Sequence, residues 1–297
     1  MTKHSLLGFH CFLCQGTQGR KVLCLPPTFF EGERNHLAES GLYQDYCVNC
    51  GTLINMAPNR ISQEFYQKQY KKNFDSSTVY VPTRHNHETK AKLNADFITQ
   101  HIERPGKLLE VGAHMGCFMA ALQKRGWNVA GIEPSSTLCR IGAESYGLKI
   151  KTGYYHRDSY QSEELDLVTF DNVLEHPDAP LELLAAAHYH LKLEGHLFFI
   201  LPVLDTIRTG QIGGWHLSIL SSKGWKYLIE QCGFHIKHLE LDGLGGGDSA
   251  RLRCLAQKVG NWPLTINFSP QMSFFSAWLG LTKMVVRHKL GRFFRNI

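Results

Sequence analysis

The stretch LLEVGAHMGCFMAALQKRGWNVAGIEPS, residues 108–135, constrains the fold of this 297-residue chain more than any other part of it. An apolar run ends in a glycine-bearing turn, a helical pattern follows, and a second apolar run closes on the acid Glu133. Strand, turn, helix and strand in that order outline a nucleotide-binding βαβ unit, and its strands must lie parallel because a helix separates them.

The alternation continues from residue 106 to about 258. Apolar runs at 107–111, 128–132, 149–152, 165–170 and 196–200 are separated by helical patterns, which predicts a parallel sheet with crossover helices. Two further runs, 235–241 and 251–257, are joined only by the glycine-rich link GLGGGD, too short for a crossover, so this pair is expected to be antiparallel. The expected class is α/β: a doubly wound seven-strand sheet with a small N-terminal module. Four regions follow: 1–58 with paired cysteines, a helical connector over 59–105, the sheet domain over 106–258, and a basic aromatic tail over 259–297. The connector is expected to hold helices over 61–74, where Phe65, Tyr66 and Tyr70 fall at helical spacing, and over about 88–101.

A dinucleotide-binding loop reads G-x-G-x-x-G. Here Glu110, Gly112 and Gly116 spell E-x-G-x-x-x-G, and residues 165–202 place Asp166, Asn172, Glu175, His176, Leu191, Gly195 and Pro202 in a second pattern. The two together resemble the first motif, and the fourth strand with its following helix, of class I S-adenosylmethionine (SAM) methyltransferases. The resemblance implies SAM as cofactor, with Glu110, Gly112, His114, Gly116, Glu133 and Asn172 as its binding residues. Glu133 would accept hydrogen bonds from the ribose hydroxyls, a role suited to acceptor-only oxygens. Many members carry glycine where His114 stands, so the loop departs from the family there. Asp158, in YYHRDS, is a candidate adenine contact. A fold that has kept this architecture without its cofactor is the alternative.

CFLC, with Cys11 and Cys14, and CVNC, with Cys47 and Cys50, are two knuckles able to close a tetrahedral site. Four thiolates leave no open position, so zinc there would be structural, contributing on the order of 10 kcal/mol toward folding a segment with little core of its own. Unrelated reduced thiols or a redox C-x-x-C are the rival readings, although neither pair opens a helix after a strand. The other five cysteines are scattered singly through apolar segments, which suits a reducing cytoplasmic compartment. No run reaches the roughly 18 residues of a membrane span, and no signal-peptide pattern opens the chain. With the cysteine pairs included, residues 8–258 resemble zinc-binding-domain methyltransferases of sugar and secondary-metabolite tailoring.

That resemblance implies methyl transfer to a small hydroxylated metabolite, a sugar or cell-surface glycan precursor. A hydroxyl acceptor must lose a proton, so a base is needed. The segment GQIGGWHLSILSSKGWKYLIEQCGF, residues 210–234, resembles the family's loop after the fifth strand and offers His216 as catalytic base, with Trp215 as a substrate wall. His216 can equally serve as a loop anchor. Glu175 and His176 read as structural, and His188, His190 and His196 as surface or strand-end residues.

The net charge of +6 is a property of the tail. No Asp or Glu follows Asp248, while Lys283, Arg287, Lys289, Arg292 and Arg295 supply five of the six charges. The balanced body and the lack of an N/D-P-P-Y motif argue against the first rival, a zinc-containing RNA methyltransferase. The second rival is a non-catalytic scaffold. On a helical wheel Phe274, Trp278, Leu281 and Val285 form a stripe, expected either to dock on the methyltransferase body or to bring residues 271–297 to an anionic membrane.

Overall fold

The computed structural model describes residues 9–30, 41–56, 81–206, 212, 216–242 and 250–293; for 81–84 and 288–293 it describes the backbone alone. The helix expected over 61–74, Trp215 and the GLGGGD link lie outside these residues. Three strands, β1 (Gly19–Leu25), β2 (Leu42–Cys47) and β3 (Leu53–Asn55), open the chain, and α1 (Val81–His101) leads into the large sheet. There β4 (Lys107–Val111), α2 (Cys117–Gln123), β5 (Asn128–Glu133), α3 (Ser136–Tyr146) and β6 (Ile150–Thr152) are followed by β7 (Leu165–Asp171), α4 (Pro180–His190) and β8 (Leu191–Leu201). The chain continues with β9 (Ser218–Ile219), α5 (Ser222–Gln231), β10 (Phe234–Asp242), β11 (Arg251–Lys258) and α6 (Phe274–Phe293).

The large sheet has seven strands in the order β10-β11-β8-β7-β4-β5-β6. Strands β4 to β8 run parallel, and β11 is antiparallel to both β8 and β10. Successive side chains along a strand point to opposite faces, so Leu108, Leu167 and Phe198 enter one core layer while Leu109, Val168 and Phe199 enter the other. The first layer packs on α1 and α2 through Ile98, Phe118 and Met119. The second packs on α4 and α5 through Leu184, Trp225 and Ile229.

The N-terminal sheet does not close on its own sequence. Its fourth strand is β9, which pairs with β3 and belongs to the segment expected over the acceptor site. Val22, Phe30, Leu42 and Leu53 on this module share a core with Ala277, Leu281, Met284 and Val285 of α6.

The tail therefore docks mainly on the N-terminal sheet, with Leu204 and Ile212 of the methyltransferase region in the same core, and it does so through Phe274, Leu281 and Val285 of the expected stripe together with Ala277 and Met284. Trp278 of the expected stripe stays 39% exposed. A second correction concerns His188 and His190, which are buried at the end of α4 instead of lying at the surface.

Candidate active site

A cleft of about 1340 Å³ opens at the carboxyl edge of β4, β5, β6 and β7. The turns after parallel strands all leave the sheet on this edge, so backbone and side chains from four separate loops converge there. Gly112 and His114 line it after β4, Glu133 after β5, Asp158 after β6, and Asn172 after β7; Glu110 lines it from within β4.

The turn after β4 is held in an unusual backbone conformation. Gly112, His114 and Gly116 all have positive φ, of 69°, 52° and 75°. At Gly116 an added Cβ would lie 2.4 Å from Leu148 Cδ1, so glycine is required there on two counts. His114 occupies the left-handed conformation that glycine adopts easily, at a strain on the order of 1 kcal/mol. This explains in physical terms why glycine suits that position and what the departure costs. The ring of His114 stacks on His87 of α1 at 5.0 Å, and burial pushes its pKa down to about 3.

Glu133 closes the same turn from the side. Its Oε2 accepts the backbone N–H of His114 and its Oε1 accepts that of Ser135, both at 2.9 Å. Burial raises its pKa to about 7 against the lowering effect of these two donors. Glu110 accepts the N–H of Met119 at 3.2 Å, near the start of α2, and burial holds its carboxyl well above the usual range. Asn172 has φ of 54°, and its backbone N–H donates to Ile200 O, pinning the end of β7 to β8.

The loop after β6 is anchored from beneath by a residue that the sequence pattern did not single out. His190 Nε2 is 2.7 Å from the carbonyl of Arg157, and its Nδ1 is 2.7 Å from the Tyr155 hydroxyl. A carbonyl only accepts, so Nε2 carries the proton and Nδ1 accepts from Tyr155. Burial lowers the pKa of His190, which favours this neutral form. The guanidinium of Arg157 lies 3.8 Å over the ring of Tyr189. Asp158, the adenine candidate, lines the cleft with its side chain exposed, its N–H bonded to His156 Nδ1.

On the other side of the cleft, Glu175 carries the second group of interest. Both its carboxyl oxygens are buried with no side-chain partner at hydrogen-bond distance among the described residues, and burial raises its pKa to about 8. His176 Nε2 lies 4.0 Å and His216 Nε2 3.9 Å from Glu175 Oε1, and the two rings are 5.0 Å apart. His176 lines the cleft; His216 stands behind it, while the next residue, Leu217, reaches the wall. Ligand atoms of all three lie within 4.8 Å of one another, so the cluster can relay a proton or hold a divalent cation. The sequence pattern points to His216 as base and to His176 and Glu175 as structural; the signal for the cluster is the EH pair at the end of β7.

The four paired cysteines also converge. Cys11 Sγ lies 3.5 Å from Cys50 Sγ, and Cys14 Sγ 3.5 Å from Cys47 Sγ, with all four sulfurs within 4.8 Å of one another. A tetrahedron with metal–sulfur bonds of about 2.3 Å has edges of roughly 3.8 Å, so spacing and donor chemistry both fit a closed cation site. Thr52 Oγ1 sits 3.0 Å from Cys50 Sγ as a supporting donor. Phe12, between the first two cysteines, lines the cleft, which makes the knuckle part of its wall.

Residues 83–239, just over half of the chain, match the family model described as a methyltransferase domain. The chain belongs to the methyltransferase-domain family. This methyltransferase is 31% identical over 175 residues to a ubiquinone biosynthesis O-methyltransferase from Actinobacillus pleuropneumoniae serotype 7 (strain AP76), covering 54% of this chain and 72% of the relative. Among solved structures it is similar to the 1,6-didemethyltoxoflavin-N1-methyltransferase of Burkholderia thailandensis, with TM-score 0.56, 16% identity, and coverage of 73% and 96% of the two chains. The PH0226 protein of Pyrococcus horikoshii OT3 gives TM-score 0.50 and 16% identity over 67% of this methyltransferase and all of its own chain. At these identities the structural matches establish the fold alone.

Proposed function

We propose that this methyltransferase transfers the methyl group of SAM to a hydroxyl of a small metabolite. The observation that carries the reading is Glu133. A buried carboxylate at the end of β5, fixed by two backbone N–H groups, keeps acceptor capacity on the cleft side for a vicinal diol. Gly112, His114 and Gly116 shape the turn over which the nucleoside lies, and Glu110 and Asn172 hold the ends of the strands beneath it. The solved toxoflavin methyltransferase was crystallised with S-adenosylhomocysteine, which supports the same ligand class here.

SAM supplies an electrophilic methyl carbon on a sulfonium. The acceptor oxygen bonds to that carbon, the carbon–sulfur bond breaks with its electron pair staying on sulfur, and the hydroxyl proton leaves to a base. The cluster of Glu175, His176 and His216 supports this proton transfer, since His176 borders the cleft as the proton acceptor and the buried Glu175 carboxyl lies 4.0 Å behind it. His216, beside His176 and next to the same Glu175 oxygen, completes the relay.

The acceptor is a sugar or glycan precursor in the reading that the two-module architecture favours. A second reading, an aromatic hydroxyl, is supported by the O-methyltransferase relative and by the apolar side chains of Phe12, Val173, Leu183 and Leu217 on the wall. Four convergent thiolates support structural zinc at Cys11, Cys14, Cys47 and Cys50, and the cysteine usage as a whole supports a reducing, cytoplasmic setting. Transfer of labelled methyl from SAM into separated sugar, phenolic, lipid and RNA pools tests the function. Label in the sugar or phenolic pool is the expected result, and label confined to RNA overturns it.

A further inference from the structure

Helix α6 has two apolar faces, and the N-terminal sheet covers only one of them. Ala277, Leu281, Met284 and Val285 are buried against that sheet. Beside that buried face, on the outward flank of the helix, Phe275 is 64% exposed, Trp278 39% and Val286 49%, with the Phe275 and Trp278 rings 5.8 Å apart. At 100° per residue these three fall within one narrow stripe along the helix. Lys283 and Arg287, both exposed, run along one edge of the same stripe. Beyond them the sequence adds Lys289, Arg292 and Arg295, and no acid follows Asp248.

We propose that this outward face is a docking surface for an anionic lipid bilayer. Large aromatic side chains left in water beside a single-sign row of cations match the interface between headgroups and acyl chains. There the rings bury apolar area while the ammonium and guanidinium groups meet lipid phosphates. The helix is too polar to cross: no described helix is long and apolar enough to span a membrane. Contact is therefore lateral, with the helix lying in the interface plane. Because the inward face already holds α6 to the protein, the surface is preformed and does not have to fold on the membrane. The docked and membrane-facing roles thus belong to different faces of one helix and do not compete. The inference is independent of the methyl-transfer reading.

The test is flotation of the full chain with vesicles of phosphatidylcholine containing about 30% phosphatidylglycerol, against vesicles of phosphatidylcholine alone. The expected result is co-flotation with the anionic vesicles only. It should fall by about tenfold or more in Phe275→Ser/Trp278→Ser and in Lys283→Gln/Arg287→Gln, and likewise when salt is raised to about 0.5 M. All four side chains are exposed, so an unchanged thermal midpoint in both double variants verifies folding. Absence of flotation in the wild type overturns the proposal, as does flotation that both double variants retain. A concentration-dependent dimer abolished by Phe275→Ser/Trp278→Ser, without vesicle binding, overturns it in favour of a second copy of the chain.

Discussion

The backbone N–H of Asn55, on the N-terminal sheet, donates to the carbonyl of Leu217 at 3.0 Å. Leu217 in turn donates to the carbonyl of Glu175, so the cysteine module, the wall of the cleft and the carboxylate–imidazole cluster form one hydrogen-bonded chain. The cysteine module is therefore part of the scaffold of the acceptor side. Treatment with a zinc chelator under the proposed structural-zinc reading, or substituting Cys50→Ser, should speed amide exchange across residues 217–219 by about tenfold or more while β4 and β5 keep their protection. Affinity for S-adenosylhomocysteine should stay within about threefold in the same samples, because the turn after β4 and the end of β5 make no hydrogen bond to this path. Hydrogen exchange read by mass spectrometry checks the first half of the expectation, and calorimetric titration checks the second.

The buried carboxyls predict an unusual pH dependence of stability. Glu133 and Glu175 have pKa values raised to about 7 and about 8, above the ordinary carboxyl value, so the folded state favours their protonated forms. Their contribution is fully present below the unfolded value and is lost as pH rises through 7 and 8. For Glu133 the shift corresponds to roughly 3 kcal/mol. His114, lowered to about 3, acts in the opposite direction only below its unfolded pKa of about 6.5. Between about pH 6.5 and 8 the thermal midpoint of the ligand-free protein should fall and then level off, and Glu133→Gln should flatten the part of that fall below about pH 7. A midpoint that rises over this window contradicts the assignment.

His190 and Tyr155 should act on cofactor binding by holding the loop after β6. Tyr155→Phe removes the O–H that Nδ1 accepts, and His190→Phe releases the carbonyl of Arg157. Each should weaken S-adenosylhomocysteine binding by about tenfold, the scale of one buried hydrogen bond lost. An analogue with inosine in place of adenosine should lose less, which distinguishes a misplaced adenine loop from general destabilisation. Calorimetry with both ligands reads the difference.

Much of the fold was legible because periodicity and connection length leave few options. Seven apolar runs, five with crossover helices and two without, dictate the parallel sheet and the antiparallel β10–β11 pair. The turn was legible as well, since positive φ at Gly112 and Gly116 demands glycine. Contacts between residues distant in sequence were not. A two-residue strand such as β9 carries no period, and its pairing with β3 rests on an encounter across some 160 residues of chain. His190 reads as one more histidine on an amphipathic helix until the loop above it is in place. The docking face of α6 was largely legible, since Phe274, Leu281 and Val285 of the stripe make the contact, whereas Trp278 of the same stripe stays exposed.

The carboxylate–imidazole cluster predicts a division of labour. With whichever acceptor turns over, His176→Gln should lower kcat by about 100-fold or more with little change in cofactor affinity. His216→Gln should have a smaller effect of about tenfold. Glu175→Gln should leave the pH–rate profile below about pH 8 little changed and alter it above, where the wild-type carboxyl becomes charged beside both imidazoles. Steady-state kinetics across pH separates these roles from simple packing defects, which would change the thermal midpoint instead.

The most direct test of the central claim is calorimetric titration of the full chain with S-adenosylhomocysteine, in the wild type and in Glu133→Ala. The account predicts saturable binding at one site in the wild type and a loss of about 100-fold or more in the variant, whose ribose partner is gone. Absence of binding heat in the wild type, or equal affinity in both proteins, contradicts it.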